Sequence, residues 1–440
     1  MKKVVELVRL FRQVRRNRRI FFRREHDKLG KKIQAVAGFY RRIFLGRTRI
    51  VAVVGSLGKT TTRHAVAAAL ACPNRNFSYS NYGASLAGNL LRVRPRDAHA
   101  VLEAGIAGPG WMAGYGKMIR PDLVVVTSIK SEHNRTFATL LETRAEKVKM
   151  VRALAADGIA ILNGDDPNVR WMATQTAARV MTFGLDPGND IRAAKVFFND
   201  DGAANFEIQL AAGTFNFRSP LIGAHMIYPL LAAISVAHAE GKNLAEVIPR
   251  LEKIAPVTSR MELITLPGGI RILDDSFKST QESIEAVFEI FSKMPTARKI
   301  VVIGRIEEPI GKERDRYREL GTRLAQFADF ILCLGGDEMT SLRAAAVKGG
   351  MDSSTVKLLG SRIEGAAGWL KSILKPGDLV LVKGASTQRL RRVVLQLTGK
   401  NAACGVKYCG VKVRACDDCP LLNAPAAAFK NYFVSRYIKF

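Results

Sequence analysis

The 440-residue sequence predicts an α/β protein built on two successive parallel sheets. Three observations carry that expectation. Short apolar runs alternate with helical stretches from Ile50 to Lys400, the pattern of strands joined by crossover helices. The first run ends in a glycine turn that leads straight into a helical stretch. A second series of runs starts near Pro256, so the sheet-forming pattern occurs twice.

Taken in order, Arg49 to Val54 is a short apolar run ending at Gly55, and Thr61 to Cys72 is an Ala-rich helix. His99 to Glu103 and Asp122 to Thr127 read as buried strands, the second introduced by Pro121. Gly158 to Leu162 is another strand, running into the turn Asn163-Gly164-Asp165-Asp166-Pro167. Residues 190–220 read as strand pairs around Gly213, and Ile227 to Glu240 as a helix. In the second series the strands are Gly269 to Leu273, Lys299 to Ile303, Phe330 to Leu334, Val356 to Leu359 and Asp378 to Val382. Helices fall between them, as at Glu282 to Phe291 and Asp315 to Phe327. Strands alternating with helices imply right-handed parallel crossovers.

Composition limits the function classes. Hydrophobic residues make up 48% and charged residues 24%, which excludes a disordered, collagen-like or disulfide-stapled chain. Lys+Arg 68 against Asp+Glu 39 gives a net charge of +29, which favours anionic partners. No aromatic platform interleaves with the basic residues, so nucleic acid is not the expected partner. No apolar run reaches the roughly 18–20 residues of a membrane-spanning helix. The N-terminus lacks a secretory h-region, and six cysteines in so long a chain fit a reducing cytoplasm.

The charge is unevenly placed. Residues 1–49 hold 17 Lys/Arg and 3 Asp/Glu. Leu7, Leu10, Phe11 and Val14 fall at helical spacing among Arg9, Arg12, Arg15 and Arg16. Residues 1–48 therefore read either as a basic amphipathic helix on an anionic membrane surface or as a helix packed on the following domain with a solvated face.

The chemistry starts at Gly55-Ser56-Leu57-Gly58-Lys59-Thr60-Thr61. Glycines let the backbone wrap a phosphate, and the amides and dipole of a helix start favour the anion. Lys59 would reach the β- and γ-phosphates of ATP, and the Thr60 hydroxyl would bind Mg²⁺. The expected fold is thus a P-loop-type parallel-sheet ATP-binding domain followed by a smaller Rossmann-like α/β domain. Val53 stands where the usual eight-residue pattern has its first glycine.

This shorter loop resembles that of the Mur ligase family, ATP-dependent amide-forming enzymes of peptidoglycan precursor synthesis. The resemblance continues through Leu102-Glu103-Ala104-Gly105, Ile119-Arg120-Pro121-Asp122, Val126-Thr127-Ser128-Ile129 with His133, Ala145-Glu146-Lys147, and Ile161-Leu162-Asn163-Gly164-Asp165-Asp166. It goes on through Gly223-Ala224-His225, Ser259-Arg260-Met261-Glu262, Leu273-Asp274-Asp275-Ser276-Phe277 and Leu381-Val382-Lys383-Gly384-Ala385. The last two look like motifs of the MurF branch, which attaches D-alanyl-D-alanine. The match spans residues 49–398 and implies domains at 49–255 and 256–400, the first binding ATP. It implies transfer of the γ-phosphate to a substrate carboxylate and attack on the acyl phosphate by an amine. Glu103, His133 and a carbamylated Lys147 would then lie near Mg²⁺. Arg260, Asp275 and Lys383 would reach ATP or the acyl phosphate, and Asn81 would lie near the reacting carboxylate.

Three departures bear on substrate. Only 48 residues precede the strand that leads into the phosphate loop, too few for the family's UDP-sugar-gripping domain. The family's HNxxN reads His225-Met226-Ile227-Tyr228-Pro229, and DDSYNANP reads Asp274-Asp275-Ser276-Phe277-Lys278-Ser279-Thr280-Gln281. A basic N-terminal helix would suit a lipid-linked acidic substrate as well as a soluble one, with the enzyme cytoplasmic or peripheral at the inner membrane face. The alternative is a non-catalytic ATP-binding protein that regulates membrane or nucleic-acid association. In the tail, residues 401–440, Cys404, Cys409, Cys416 and Cys419 are spaced C-x₄-C-x₆-C-x₂-C. That spacing leaves open a structural Zn²⁺, an iron–sulfur cluster or free thiols.

Overall fold

A computed structural model describes residues 26–73, 80–106, 108–130, 137, 139–211, 213–360, 363, 365–406, 408–409, 415–423 and 438–439. The chain divides into two compact units. The first comprises Met1–Val196, Phe206–Arg218 and Met226–Ile254; the second comprises Phe197–Asn205, Ser219–His225 and Ala255–Phe440.

In the first unit, helix α1 (His26–Phe44) leads to β1 (Arg49–Val54) and α2 (Lys59–Ala69). Then come α3 (Gly83–Leu90), β2 (His99–Glu103), α4 (Trp111–Ile119), β3 (Leu123–Val126), α5 (Leu140–Val151) and β4 (Ile159–Asn163). Strands β5 (Arg179–Gly184), β6 (Ile191–Phe198), β7 (Ala203–Leu210) and β8 (Gly213–Ile222) follow, then helices α6 (Ile227–Ala239) and α7 (Leu244–Leu251). The eight strands form one sheet in the order β2-β1-β3-β4-β5-β6-β7-β8. Pairing from β2 through β6 is parallel. Strands β1, β3 and β4 are covered on both faces and so read as unbroken apolar runs rather than alternating ones. Helix α6 is apolar all round because it is buried, and it packs along α2.

The second unit contains β9 (Glu262–Thr265), β10 (Arg271–Asp275), α8 (Gln281–Lys293), β11 (Lys299–Ile303), α9 (Glu313–Leu324), β12 (Phe330–Cys333) and α10 (Glu338–Lys348). It continues through β13 (Val356–Leu358), α11 (Ala366–Ile373), β14 (Leu379–Lys383) and α12 (Arg391–Leu397). Its sheet runs β13-β12-β11-β14-β10-β9, parallel except for the edge strand β9. Ile300, Val302, Val380 and Val382 pack with Leu370, Leu390 and Val394 to form one side of its core.

Parallel strands bring all their carboxyl ends to one sheet edge, which is where α/β sheets bind ligands. In the first unit, β1 lies between β2 and β3, so the chain reverses its direction of sheet growth at β1. The turns after β1, β2, β3 and β4 therefore collect at a topological switch point. In the second unit the ends of β10, β11 and β14 align, with Asp275 and Ile303 both opposite Lys383. Among the described residues, no helix is long and apolar enough to cross a membrane.

Candidate active site

The turn after β1 is held from behind by the turn after β3. The Ser56 amide donates to the Ser128 carbonyl at 2.7 Å, and the Thr127 hydroxyl donates to the Leu57 carbonyl at 2.6 Å. The Ser56 hydroxyl donates to the Lys130 carbonyl at 2.9 Å and accepts from the Lys130 amide at 3.0 Å. Gly55 has φ +140°, and a Cβ there would lie 2.0 Å from the Thr127 hydroxyl, so only glycine fits the close approach. Gly58, at φ +79°, caps α2, and the Lys59-Thr60-Thr61 run opens that helix. The buried Lys59 ammonium donates to the carbonyls of Gly55 at 2.8 Å and Ser56 at 2.7 Å. The turn expected to bind phosphate is thus folded around the Lys59 ammonium.

Glu103 ends β2 opposite Val53, two residues before Gly55, and its carboxylate is buried. Asn81 donates to it at 2.6 Å, and the Asn81 carbonyl accepts from the Gly105 amide at 2.8 Å. Lys147, on α5, is buried with its Nζ 2.8 Å from the Ser56 hydroxyl. The structure thus brings Gly55 to Thr60, Asn81, Glu103 and Lys147 to one sheet edge. His133 lies outside the described residues. A magnesium ion that keeps phosphate and water ligands needs few protein oxygens, and the Thr60 hydroxyl and Glu103 carboxylate are of the right hard-donor type.

Sequence reasoning assigned no role to the residues that brace this edge, although several lie in the quoted motifs. Asn163 donates to the Thr127 carbonyl at 2.7 Å, and Asp166 accepts from the Ile129 amide at 2.8 Å. Glu146 accepts from the amides of Gly110 and Met112 at 2.9 and 2.8 Å and from Lys149. Burial alone would raise the Glu146 carboxyl; Lys149 and the two amides outweigh it and hold the group below its ordinary value. Adjacent residues on α5 thus do different work, Glu146 fixing the start of α4 and Lys147 facing the loop.

In the second unit Lys383 is 0% exposed. Its ammonium donates to Asp275 Oδ2 at 2.8 Å, Ser283 Oγ at 3.1 Å and the Lys278 carbonyl. It therefore ties β14 to the turn after β10 and to the start of α8, which take its donors. The Arg260 guanidinium lies 4.4 Å from the centre of the Phe277 ring, and the Met261 amide donates to Asp275 Oδ1 at 3.3 Å. Ser259 and Met261 both hold positive φ, +61° and +52°, so the segment around Arg260 is strained against the Asp275 turn. Arg391 joins this turn to the tail, pairing with Asp274 at 2.7 Å, Glu262 at 2.8 Å and Asp417 at 2.8 Å. His225 is held neutral, its imidazole pushed down by burial despite the pull of Asp275.

The metal readings of the tail gain no support. Among the described residues, which include all four of these cysteines, no group of three or more His, Cys, Asp or Glu is arranged to hold a metal ion. Cys404, Cys409 and Cys419 pack around Val406 and Leu421, whereas Cys416 packs with Leu395 and Ala402. The sulfurs fill two small apolar clusters, and burial pushes the Cys416 thiol up to about 12. The tail is fastened instead through Arg392, which donates to the Val406 carbonyl at 2.6 Å, and through the Cys409 amide, 2.7 Å from the Thr387 carbonyl.

Residues 53–237 match the model of the Mur ligase middle domain, and residues 259–386 match that of the Mur ligase glutamate ligase domain. The chain belongs to the Mur ligase family. This Mur ligase is 26% identical over 415 residues to the UDP-N-acetylmuramoyl-tripeptide--D-alanyl-D-alanine ligase of Mycobacterium bovis, covering 87% of this chain and 80% of that protein. Against the Escherichia coli ligase of the same name it is 28% identical over 272 residues, covering 61% of this chain and 60% of that one. Its fold is shared with MurF of Acinetobacter baumannii (TM-score 0.75, 22% identity, 84% of this chain and 81% of the other). It is also shared with the ADP complex of Thermotoga maritima MurF (TM-score 0.71, 22% identity, 84% of each chain). The reading as an ATP-dependent ligase is supported over that of a non-catalytic nucleotide-binding protein.

Proposed function

We propose that this Mur ligase joins the carboxylate of a cell-wall precursor peptide to an amine of the D-alanyl-D-alanine type, converting ATP to ADP and phosphate. The observation that carries the reading is the convergence of the glycine turn, Glu103 and Lys147 at the carboxyl edge of one sheet. In the first step a carboxylate oxygen of the acid substrate attacks the γ-phosphorus, and the β–γ bridging bond breaks to release ADP. In the second step the amine nitrogen attacks the acyl carbon, phosphate leaves, and the nitrogen loses a proton.

The chain's residues serve these steps by placing positive charge where negative charge concentrates. Amides at the start of α2, together with Lys59, cradle the triphosphate. Thr60 and Glu103, with the unplaced His133, are the proposed Mg²⁺ ligands, and the ion would screen the phosphate charge during transfer. A carbamate on Lys147 would turn a buried cation beside Ser56 into an anionic ligand. Asn81 orients Glu103 and lies next to the acid substrate. In the second unit, Asp275 and Arg260 act on nucleotide or acyl phosphate, and Lys383 holds Asp275 in place.

The base contacts differ from the family pattern. Met226 is buried and apolar, and the Tyr228 hydroxyl donates to Asp165 at 3.0 Å. The acid substrate is carried either by UDP or by a lipid. The deciding experiment supplies ATP, Mg²⁺ and D-alanyl-D-alanine with UDP-linked tripeptide in one arm and lipid-linked peptide in the other. ADP formation that requires both acid and amine, with the amide product seen by mass, supports the ligase. ADP formation indifferent to both, or none in either arm, overturns it.

A further inference from the structure

We infer that the C-terminal end of helix α1 is a docking surface for an anionic lipid bilayer. The inference stands apart from the ligase reading and rests on three exposed apolar side chains in the last two turns of one helix. Helix α1 buries Ile33 and Ala37 in the core of the first unit. It leaves Phe39 and Ile43 on another side, and Phe44 at its last residue, 39, 60 and 52% exposed. Phe39 and Ile43 are one helical turn apart and share a face. The Phe44 ring lies 5.5 Å from that of Tyr40, whose hydroxyl is fixed by the Val93 carbonyl at 2.8 Å. Several large apolar side chains exposed within two turns of one helix mark an interaction site, whereas isolated ones do not.

The surroundings identify the partner. Lys32, Arg42 and Arg47 are exposed on and just after the helix. Two loops pinned to α1 add more cations. The bond from Tyr40 to Val93 draws in the loop bearing the exposed Arg94 and Arg96. The bond from the Arg41 guanidinium to the Arg120 carbonyl, at 3.0 Å, brings in the exposed Arg120. The carboxylates of these loops are already engaged. Asp97 is buried and accepts from the Arg94 amide, while Asp122 pairs with Arg41 at 2.8 Å and Arg49 at 3.8 Å. Residues 1–25, which lead into α1, carry ten Lys/Arg and two Glu.

Apolar side chains rimmed by cations are the signature of a surface that lies at a lipid headgroup boundary. Each basic residue near an anionic leaflet adds attraction of about 1 kcal/mol. A nucleic acid would use the cations but has no need of an exposed Ile43 among them. The chemistry therefore fits an acidic bilayer, into which Phe39, Ile43 and Phe44 would insert while the arginines meet the headgroups.

The test is flotation of the full-length protein with vesicles of phosphatidylcholine alone and of phosphatidylcholine with about 30% phosphatidylglycerol. The wild type should float with the anionic vesicles only. A triple variant, Phe39→Ser, Ile43→Ser and Phe44→Ser, should keep its melting temperature and lower the partition coefficient about tenfold or more. Partition of the triple variant equal to the wild type overturns the proposal, even if residues 1–25 still carry the chain to vesicles. Failure of the wild type to float also overturns it, whether the surface then binds duplex RNA or a second copy of the chain.

Discussion

Replacing Lys383 by methionine keeps the length of the side chain and removes its charge. The wild-type ammonium is fully buried and donates to Asp275, Ser283 and the Lys278 carbonyl. Removing one partner of a buried pair costs about 3–5 kcal/mol, because the other charge is left uncompensated. The Asp275 side chain is 15% exposed and can recruit some water, which sets the expected loss near the lower end, about 3 kcal/mol. At roughly 2–4 °C per kcal/mol for a body of this size, the melting temperature should fall by about 6–12 °C. The assay is calorimetry on the wild type, Lys383→Met, Asp275→Asn and the double variant. The double variant should be less destabilised than the sum of the singles by about 2 kcal/mol, since each single breaks the same pair. ADP formation should fall with the loss of the Asp275 anchor. A Lys383→Met protein that melts within about 2 °C of the wild type would refute the argument, because a buried, triply bonded ammonium cannot be removed so cheaply.

Other perturbations test other parts of the structure. Gly55→Ala places a methyl group against the Thr127 hydroxyl at φ +140°; nucleotide binding measured by titration calorimetry should fall by at least about tenfold, and unchanged affinity would remove the close-approach argument. Depleting CO₂ from the assay should lower turnover and bicarbonate should restore it; intact-mass spectra of active enzyme with an unmodified Lys147 would count against the carbamate. Burial would raise the Glu240 carboxyl, but hydrogen bonds from His99 and Arg49 hold it at about 2 against an ordinary 4.5. A depressed carboxyl stabilises above its unfolded value, so up to about 3 kcal/mol is present above pH 4.5 and is lost as pH falls toward 2. Acid unfolding of Glu240→Gln should therefore show a flatter dependence across that window. Arg391→Met strands the buried Asp274, whose carboxyl is already pushed up by burial despite Ser276 and Arg391. Its destabilisation, about 3 kcal/mol at pH 8, should shrink at pH 5 where Asp274 can take up a proton, and equal losses at both pH values would exclude that account.

Most of the sheet framework was legible because buried parallel strands declare themselves as unbroken apolar runs. Arg49–Val54, His99–Glu103 and Lys299–Ile303 begin and end where the runs do. The glycine turn after β1 was legible because its glycines have one job each, Gly55 in the close approach to Thr127 and Gly58 at the start of α2. Other elements were hidden. Strand β9 is short, half-buried and at an edge, so Glu262–Thr265 carries no apolar run. Helix α3 contains two glycines and an asparagine, and nothing in Gly83–Leu90 signals a helix before its packing on α1 is seen. Within the site, side-chain types pointed to chemistry but not to contacts. Lys383 reads as a ligand for phosphate, yet its ammonium donates to the turn after β10 and to Ser283 of α8. The cysteine spacing suggests a metal knuckle, yet among the described residues no group arranged to hold a metal is found, and the cysteines pack against Val406, Leu421, Leu395 and Ala402.

Three lysines of the proposed site, Lys59, Lys147 and Lys383, are buried, and each donates to an oxygen of a turn at a strand's carboxyl end. Burying an ammonium is unfavourable by several kcal/mol unless its partners compensate, so a protein selected for stability alone would place leucine or methionine there. Their positions make sense if the fold gives up stability to hold positive charge, or a nitrogen that can be carbamylated, before any substrate arrives. Preorganised charge needs no rearrangement as phosphate charge develops, which is when it is worth most. The same reasoning separates the three. Lys59 is caged by carbonyls of the loop it belongs to and can turn to a phosphate at little loss. Lys147 faces the Ser56 hydroxyl at 2.8 Å, and a carbamate on its nitrogen would replace that buried cation by an anion. Lys383 faces a carboxylate and stays where it is. Exchanging each for methionine should therefore abolish turnover at 59 and 147 and destabilise the fold at 383.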